Sequence, residues 1–358
     1  KVYLITILVL TLLGFFIFTS ASLGLLARDG ANFKSVALNQ SFFFFFGMIA
    51  FYTMSRINYK ILRKYSFYIF MLAIGINLLL FIPSFTLNHG GASRWIDLGF
   101  ITFQPSEFLK IAYIIYMAAW LSHFKDKIKE FKYGILPYLI ITGILSLLLI
   151  SQSDTDTLVV IAGTGIAMLF ASGAKFRNIV LIGVILLGLV AGLAIARPYI
   201  RDRIMTFFRP NTNTQGSGYQ IQQSLIAIGS GKLFGRGYGQ SVQKFNYLPE
   251  PIGDSIFAVQ AEEFGFVGSL TIITLFIFFV IRGFKISVRA PDIFSGLVTI
   301  GIVILITTES FMNISSMTGL LPLSGMPLLF VSHGGTALIV TLLAVGIVAN
   351  ISRYQKSL

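Results

Sequence analysis

The sequence predicts an all-α integral membrane protein of ten transmembrane helices, with both termini cytoplasmic and a large extracytoplasmic loop between helices 7 and 8. Three observations predict it. Hydrophobic residues fill 55% of the 358 positions and charged residues only 11%, which leaves too little polar surface to solvate a globule of this size. Apolar runs of about 20 residues recur along the chain, the length a helix needs to cross hydrocarbon at ~1.5 Å per residue. Lys and Arg gather in alternate short loops, as they do where loops are retained on the cytoplasmic side.

The apolar runs fall near residues 2 to 26, 35 to 55, 66 to 86, 105 to 124, 133 to 151, 157 to 173, 177 to 196, 257 to 281, 293 to 313 and 332 to 352. The first is followed by another run rather than by a cleavage site and a soluble domain, so it reads as a retained helix. Lys1, Arg56 to Lys64, Lys125 to Lys132, Lys175 with Arg177, Arg282 to Arg289, and Arg353 with Lys356 mark one side of the membrane; the short loops opposite hold Arg28, Lys34 and Arg94. That asymmetry places both termini in the cytoplasm. The segment 197–257 then lies outside, because long loops translocate whatever their charge. Its Gly, Pro and aromatic residues predict an ordered reentrant structure carrying part of the active site. Within it, Ile221, Leu225, Ile226 and Ile228 are expected on one face of an interfacial helix, behind Gln220, Gln222 and Gln223. Residues 1–358 read as a single polytopic domain without the internal repeat of many transporters.

Composition also excludes several functions. The net charge of +13 sits in clusters between apolar runs rather than on a hydrated face, so it reports topology and not nucleic acid. There are no cysteines, hence no disulfide framework, thiolate nucleophile or cysteine-held metal. The three histidines are too scattered for a helical His-Glu-x-x-His motif, and no protein metal cage is expected. The run Gly229, Gly231, Gly235, Gly237, Gly239 has the wrong spacing for a dinucleotide fingerprint and is expected to make tight turns against the membrane.

The most informative stretch is Leu248-Pro-Glu250, Asp254, Phe257-Ala and Glu262-Glu263-Phe-Gly265. Along the rest of the chain run Gln104-Pro-Ser-Glu107-Phe-Leu-Lys110, Gly218-Tyr-Gln to Gly229-Ser-Gly, and Asn313 with Thr318-Gly-Leu-Leu-Pro322, Gly325-x-Pro327 and Ser332-x-Gly-Gly335. In order and spacing these resemble the shape, elongation, division and sporulation family of peptidoglycan glycosyltransferases. The Ser241-Val-Gln-Lys-Phe run and the Ala349-Asn-Ile-Ser352 ending resemble its FtsW branch more than RodA. The resemblance implies polymerisation of lipid II into glycan strands at the outer face of a bacterial cytoplasmic membrane, at the division septum. It implies a class B penicillin-binding transpeptidase (FtsI-like) and other divisome proteins as partners. No cofactor is implied beyond a divalent cation, Mg or Mn, carried on the substrate diphosphate.

The resemblance makes Asp254 the catalytic residue, and chemistry gives the reason: an attacking sugar hydroxyl must lose its proton as it displaces a diphosphate. An arbitrary aspartate at such a place would more often be a helix cap. Glu107 and Lys110, three apart on one helical face within an apolar run, are expected to pair and, by the resemblance, to line the substrate cavity. Asp154 matches the family's Gln-Pro-Asp-x-Gly-Thr pattern, but Ser153 stands where proline is expected and Asp156 where a small residue is common. Glu309 and His333 stand where glutamine and an aromatic are usual. Arg94, Trp95, Arg209, Arg236 and Lys244 lie in outward loops; Arg94 or Lys244 is the preferred diphosphate ligand, since cationic side chains pair with phosphate oxygens. Glu250 and Glu262 complete the expected substrate-binding set, Glu262 lying about two turns along from Asp254. The main competing reading is a lipid flippase or transporter, which buried Glu107 and Lys110 would also suit; an elongation polymerase of the RodA kind and a nonenzymatic scaffold are the others.

Overall fold

Each apolar run carries an α-helix in the computed structural model, which describes residues 2–27, 33–89, 92–97, 99, 102–209 and 216–355. Lys1, Arg28 and Lys356, used above for orientation, lie outside the described residues. In chain order the elements are α1 (Val2–Ser22), α2 (Phe33–Arg56), the short α3 (Tyr59–Lys64), α4 (Ser66–Leu78), strands β1 (Thr86–His89), β2 (Ala92–Asp97) and β3 (Thr102–Phe103), α5 (Pro105–His123), α6 (Ile135–Ser151), α7 (Thr155–Ala171), α8 (Phe176–Ala196), α9 (Pro198–Phe208), α10 (Ser217–Ser230), α11 (Ile256–Val288), α12 (Ile293–Met317) and α13 (Gly335–Ile351). Among the described residues six helices are long and apolar enough to cross a membrane: α1 with its 3-10 extension, α2, α8, α11, α12 and α13. Shorter apolar helices cover Ser66–Phe81, Ile135–Ser151 and Thr155–Ala171.

The expectation of an all-α chain fails locally at 86–103. The third apolar run was expected to stay helical to residue 86, but Pro83 ends it: Ile82 before the proline is extended (φ −94°, ψ 112°), as the ring demands of its predecessor. The chain then forms an antiparallel sheet in the order β1-β2-β3, with Leu87 opposite Trp95 and Ile96 opposite Phe103.

The chain folds into two compact units, each discontinuous in sequence: residues 1–41, 183–278 and 307–334 in one, and 42–182, 279–306 and 335–358 in the other. In the second unit α5 is the central element. Leu109, Ala112, Tyr113, Ile114 and Met117 along it are wholly buried, where α4, α7 and α13 pack against it. A side chain at Gly165 of α7 would overlap the Tyr113 hydroxyl, so that glycine sets how closely α7 approaches α5. Buried Asn350 ties α13 to the end of α2, accepting from the Tyr59 amide (3.2 Å) and donating to the Ser55 carbonyl (2.9 Å).

In the first unit the governing feature is a break in α11. Gly265 has φ 68° and ψ −162°, outside the helical region and accessible in practice to glycine. A helix broken inside a membrane leaves polar backbone groups that must find partners. The turn 231–237 supplies them. The Lys232 and Leu233 carbonyls accept from the amides of Phe266 (2.9 Å) and Val267 (3.1 Å), and the Arg236 and Gly237 amides donate to the carbonyls of Glu262 (3.0 Å) and Glu263 (2.9 Å). Side chains at Gly231 or Gly235 would overlap the backbone of α11. Gly231 and Gly235 therefore serve close approach to a broken helix, while Gly235, Gly237 and Gly239 take the positive φ of tight turns (81°, 107° and 78°).

The α10 helix forms as expected, but its predicted apolar face does not. Gly218, Ile221, Ser224 and Ala227 are buried, whereas Leu225 and Ile226 are exposed. Ile221 and the small residues Gly218, Ser224 and Ala227, at a spacing of three, make the packing face, and Leu225 and Ile226 point outward.

Candidate active site

Asp254 ends a turn that precedes α11, and the cap role belongs to its neighbour. The Ser255 carbonyl opens the helix by accepting from Ala258 (3.0 Å) and Val259 (3.3 Å), and the Ser255 hydroxyl accepts from the Gln220 amide (3.0 Å). Asp254 itself is half-buried. The carbonyls of Ile252, Gly253 and Asp254 are held by α12 and the segment after it. Asn313 donates to the carbonyls of Asp254 and Met326, both at 2.8 Å. The Ser332 hydroxyl donates to the Gly253 carbonyl (2.8 Å) while accepting from the Leu328 amide (2.8 Å). The His333 amide donates to the Ile252 carbonyl (2.7 Å). Asn313 and Ser332, conspicuous in the sequence without a stated role, thus meet at the backbone of the Asp254 turn.

His333 packs as an aromatic ring would. Its ring stacks on Phe18, with centroids 5.5 Å apart and planes 20° from parallel, and Nδ1 lies 3.0 Å from Gln40 Oε1.

Glu250 lies one turn before Asp254, exposed and at φ 44°, and its carbonyl accepts from the Gly253 and Ser255 amides (both 3.1 Å). Lys244 and Glu262 stand otherwise than their loop and helix positions suggested. Lys244 is fully buried, its ammonium bonded to Glu263 (2.7 Å), the Gly239 carbonyl (2.9 Å) and Ser20 (3.1 Å to the carbonyl). Glu262 accepts from the Ser241 hydroxyl (2.6 Å), the Val242 and Gln243 amides (3.2 Å each) and Arg236 (3.3 Å). With every donor of Lys244 engaged, it braces the loop on α1 and α11 and is not open to a diphosphate.

The remaining expected residues belong to the second unit. Glu107 and Lys110 form the pair foreseen from their spacing, 2.9 Å apart and nearly inaccessible. Arg94 on β2 reaches the turn between α6 and α7, with its guanidinium on the Ser153 carbonyl and 3.9 Å from the Asp154 carboxylate. That turn is a Schellman closure: Ser153 N–H donates to Ile150 (3.1 Å) and Asp154 N–H to Leu149 (2.8 Å). Ser153 at its centre has φ 58°, an angle the ring of the expected proline cannot reach, so the turn here differs from one that proline would make. Asp156 sits in the first turn of α7, where a negative charge suits the helix dipole. Buried beside this turn, Asn77 donates to the Ala73 (2.9 Å) and Pro105 (3.2 Å) carbonyls and accepts at its own carbonyl from Gln152 (3.2 Å).

One residue near Asp254 escaped the sequence reading. A methyl group placed on Gly325 would lie 3.7 Å from Asp254 Oδ2 and 3.8 Å from Arg203 Nη2, so carboxylate and guanidinium both lie beside this glycine. Arg203 is half-buried on α9, whereas Arg197 and Arg201 are exposed. Among the described residues no group of three or more His, Cys, Asp and Glu side chains comes together as a metal site.

Comparison with known proteins places this arrangement. The Cell cycle protein family of FtsW, RodA and SpoVE matches residues 1–357. The chain belongs to that family. It is 39% identical over 320 residues to Stage V sporulation protein E of Bacillus subtilis (strain 168), covering 89% of this chain and 87% of that protein. It is 36% identical over 358 residues to the probable peptidoglycan glycosyltransferase FtsW of Geobacter sp. (strain M18), covering 99% and 97%. A solved peptidoglycan synthase complex, described as coordinating polymerization and crosslinking, contains a chain of the same fold: TM-score 0.80 at 22% identity, covering 99% of this chain and 97% of that one. The rod shape determining protein RodA of Thermus thermophilus superposes with a TM-score of 0.70 at 21% identity, over the same shares. This FtsW/RodA/SpoVE member is thus a multi-pass membrane protein with the fold of RodA.

Proposed function

We propose that this FtsW/RodA/SpoVE protein is a peptidoglycan glycosyltransferase that polymerises lipid II at the outer face of the cytoplasmic membrane, with Asp254 as general base. The observation that carries the reading is the turn of Asp254, fixed at three successive carbonyls by Asn313, Ser332 and His333. A base has to be held within hydrogen-bond reach of the proton it takes, and a clamped backbone provides that. The 4-hydroxyl of one GlcNAc attacks the anomeric carbon of the donor, its proton passes to the Asp254 carboxylate, and the lipid diphosphate departs. A base outside the cytoplasm meets no nucleotide sugars, so the donor must already be tied to a membrane lipid. A divalent cation, Mg or Mn, would enter on that donor's diphosphate.

In this reading α1, α2, α4 to α8 and α11 to α13 are the ten spans, both termini are cytoplasmic, and residues 197–257 face outward. Glu107, Lys110, Asp154, Arg94 and Glu250 contribute to substrate binding, while Lys244 and Glu262 brace the outer loop. A class B penicillin-binding transpeptidase is the natural partner, as the crosslinking activity in the described synthase complex suggests. FtsW names among the relatives favour septal work; the similarity to a stage V sporulation protein at 39% identity supports a sporulation role as the second reading.

Purified protein given labelled lipid II in detergent, with and without a cognate transpeptidase, should produce glycan strands. Asp254→Ala and Asp254→Asn should lower turnover by at least about 100-fold, the scale of a lost general base, with an unchanged melting temperature. Equal polymer from wild type and variants would refute the assignment, and lipid movement without polymer would favour a flippase.

A further inference from the structure

The basic end of α5 carries a second concave site, apart from Asp254. A cavity of about 400 Å³ opens there, lined by Arg63, Ala119, Trp120, His123 and Phe124. Its aromatic wall is fixed. Trp120 donates through Nε1 to the Tyr133 carbonyl (3.0 Å), and the Phe124 ring lies against Trp120, His123 and Tyr133, with centroids 4.8, 4.6 and 5.0 Å away. Cations stand at the rim. Arg63, exposed on α3, has its guanidinium 5.9 Å from the Phe294 ring and no carboxylate within ion-pairing distance among the described residues. Asp292 acts on it electrostatically but is itself held by the Tyr59 hydroxyl (2.7 Å) and the Ser295 amide (2.8 Å). His123 is exposed in the last turn of α5. Lys127 and Lys132 lie over the Tyr133 ring, at 5.1 and 5.7 Å. No acid falls between Arg56 and Lys64, and four lysines outnumber Asp126 and Glu130 in 125–132.

A cavity with an aromatic wall and a cationic rim suits an anion, and a guanidinium presents a planar fork of donors that matches two phosphate oxygens at once. Its surroundings favour a lipid over a soluble anion. From the cavity an apolar wall runs back along the helices: exposed Phe67 of α4 meets Tyr116 of α5 at 6.2 Å, and Tyr116 stacks on Phe70 at 4.9 Å. Tyr116 lies one turn before Trp120, so chains leaving a headgroup in the cavity have this wall beside them. Around Arg63, exposed Ile57, Ile61 and Tyr65 alternate with Lys60 and Lys64, the mixture of a segment lying at a membrane surface. Trp120, apolar in body and polar at one edge, belongs at the same depth. We propose that this cavity binds the phosphodiester headgroup of an anionic phospholipid, with Arg63 on the phosphate oxygens and the acyl chains against Phe67 and Tyr116. Basic pockets between spans hold anionic lipids in this way. The inference takes from the proposed topology only that α4 and α5 are spans, and it stands apart from the reaction at Asp254.

The test uses the full-length protein in detergent, titrated with phosphatidylglycerol, with bound lipid counted by native mass spectrometry. Phosphatidylcholine, whose headgroup carries no net charge, and sn-glycerol 3-phosphate, a headgroup without chains, are the comparison ligands. Wild type should bind phosphatidylglycerol at least about tenfold more tightly than phosphatidylcholine, the scale of one hydrogen bond to a charged group. Arg63→Gln should remove that preference, and Arg63→Lys, which keeps the charge but not the fork, should fall between. Ala119→Leu, which fills the cavity without changing charge, should also lose the lipid; it keeps the test open should Arg63→Gln fail to fold. Arg289→Gln removes an exposed charge after α11 that does not line the cavity, and it should bind like wild type. An equal loss in Arg289→Gln would mark diffuse surface attraction and overturn the site. Wild-type affinity in Arg63→Gln or Ala119→Leu would overturn it too, as would displacement of bound phosphatidylglycerol by sn-glycerol 3-phosphate or by a polyglutamate peptide.

Discussion

Ser153 shows what one residue can do to a turn. It occupies the left-handed position of the Schellman closure after α6 at φ 58°, where glycine carries no side-chain penalty and serine does. Ser153→Gly should therefore stabilise the protein by roughly 0.5–1 kcal/mol, the left-handed penalty of about 1–2 kcal/mol less the extra chain entropy that glycine loses, read as a small rise in melting temperature, and Ser153→Pro should lower it because the ring cannot reach that angle. Lys244 makes the opposite case. It is charged, wholly buried and bonded to Glu263 at 2.7 Å, so removing one partner strands the other in a medium that cannot solvate it. Lys244→Met should cost about 3–5 kcal/mol, the range for breaking a buried pair, and Lys244→Met with Glu263→Leu should recover much of that. A double-mutant cycle on thermal unfolding in detergent measures both. The sequence announced neither fact. The angle at Ser153 depends on how α6 hands over to α7, and the partner of Lys244 is remote in sequence, brought near only where α11 breaks. The Glu107–Lys110 pair was legible because its two members sit one helical turn apart, a distance fixed by local geometry alone.

At the scale of elements, helices were readable wherever an apolar run was long, since that signal is set by hydrocarbon and needs no tertiary knowledge. The small sheet was not, because its strands are a few residues long and carry no extended alternation. Arg203 was likewise illegible. Nothing in α9 distinguishes it from Arg197 and Arg201 until Gly325, far along the chain, is folded beside it. The break in α11 gives the sharpest prediction here. Gly265→Ala forces a side chain into the turn 231–237 at a left-handed φ of 68°, so the variant should lose folded yield and protease resistance. Gly143, exposed in α6 with nothing within 4 Å of an added methyl, is the control. Gly143→Ala should be neutral or stabilising by up to about 1 kcal/mol, the helix-propensity difference.

For the whole molecule, orientation in the membrane is the claim on which the proposed chemistry turns. The absence of cysteine makes it directly measurable, since any introduced thiol is the sole reactive one. Tyr247→Cys, at an exposed position of the outer loop, should react with a membrane-impermeant maleimide in intact cells. Lys127→Cys, exposed between α5 and α6, should react only after the membrane is opened. The reverse pattern would place Asp254 in the cytoplasm, away from any lipid-linked donor on the outer leaflet.

The threading of 231–237 through the gap in α11 also bears on biogenesis. The receiving helix is synthesised after the segment it receives, so when residues 231–237 leave the ribosome their backbone partners do not yet exist. A nascent chain halted before residue 256 keeps its outer segment without a dock. The brace on Lys244 and the clamp on Asp254 can then close only as α11 and α12 enter the bilayer, which makes completion of the proposed catalytic face one of the last events in assembly.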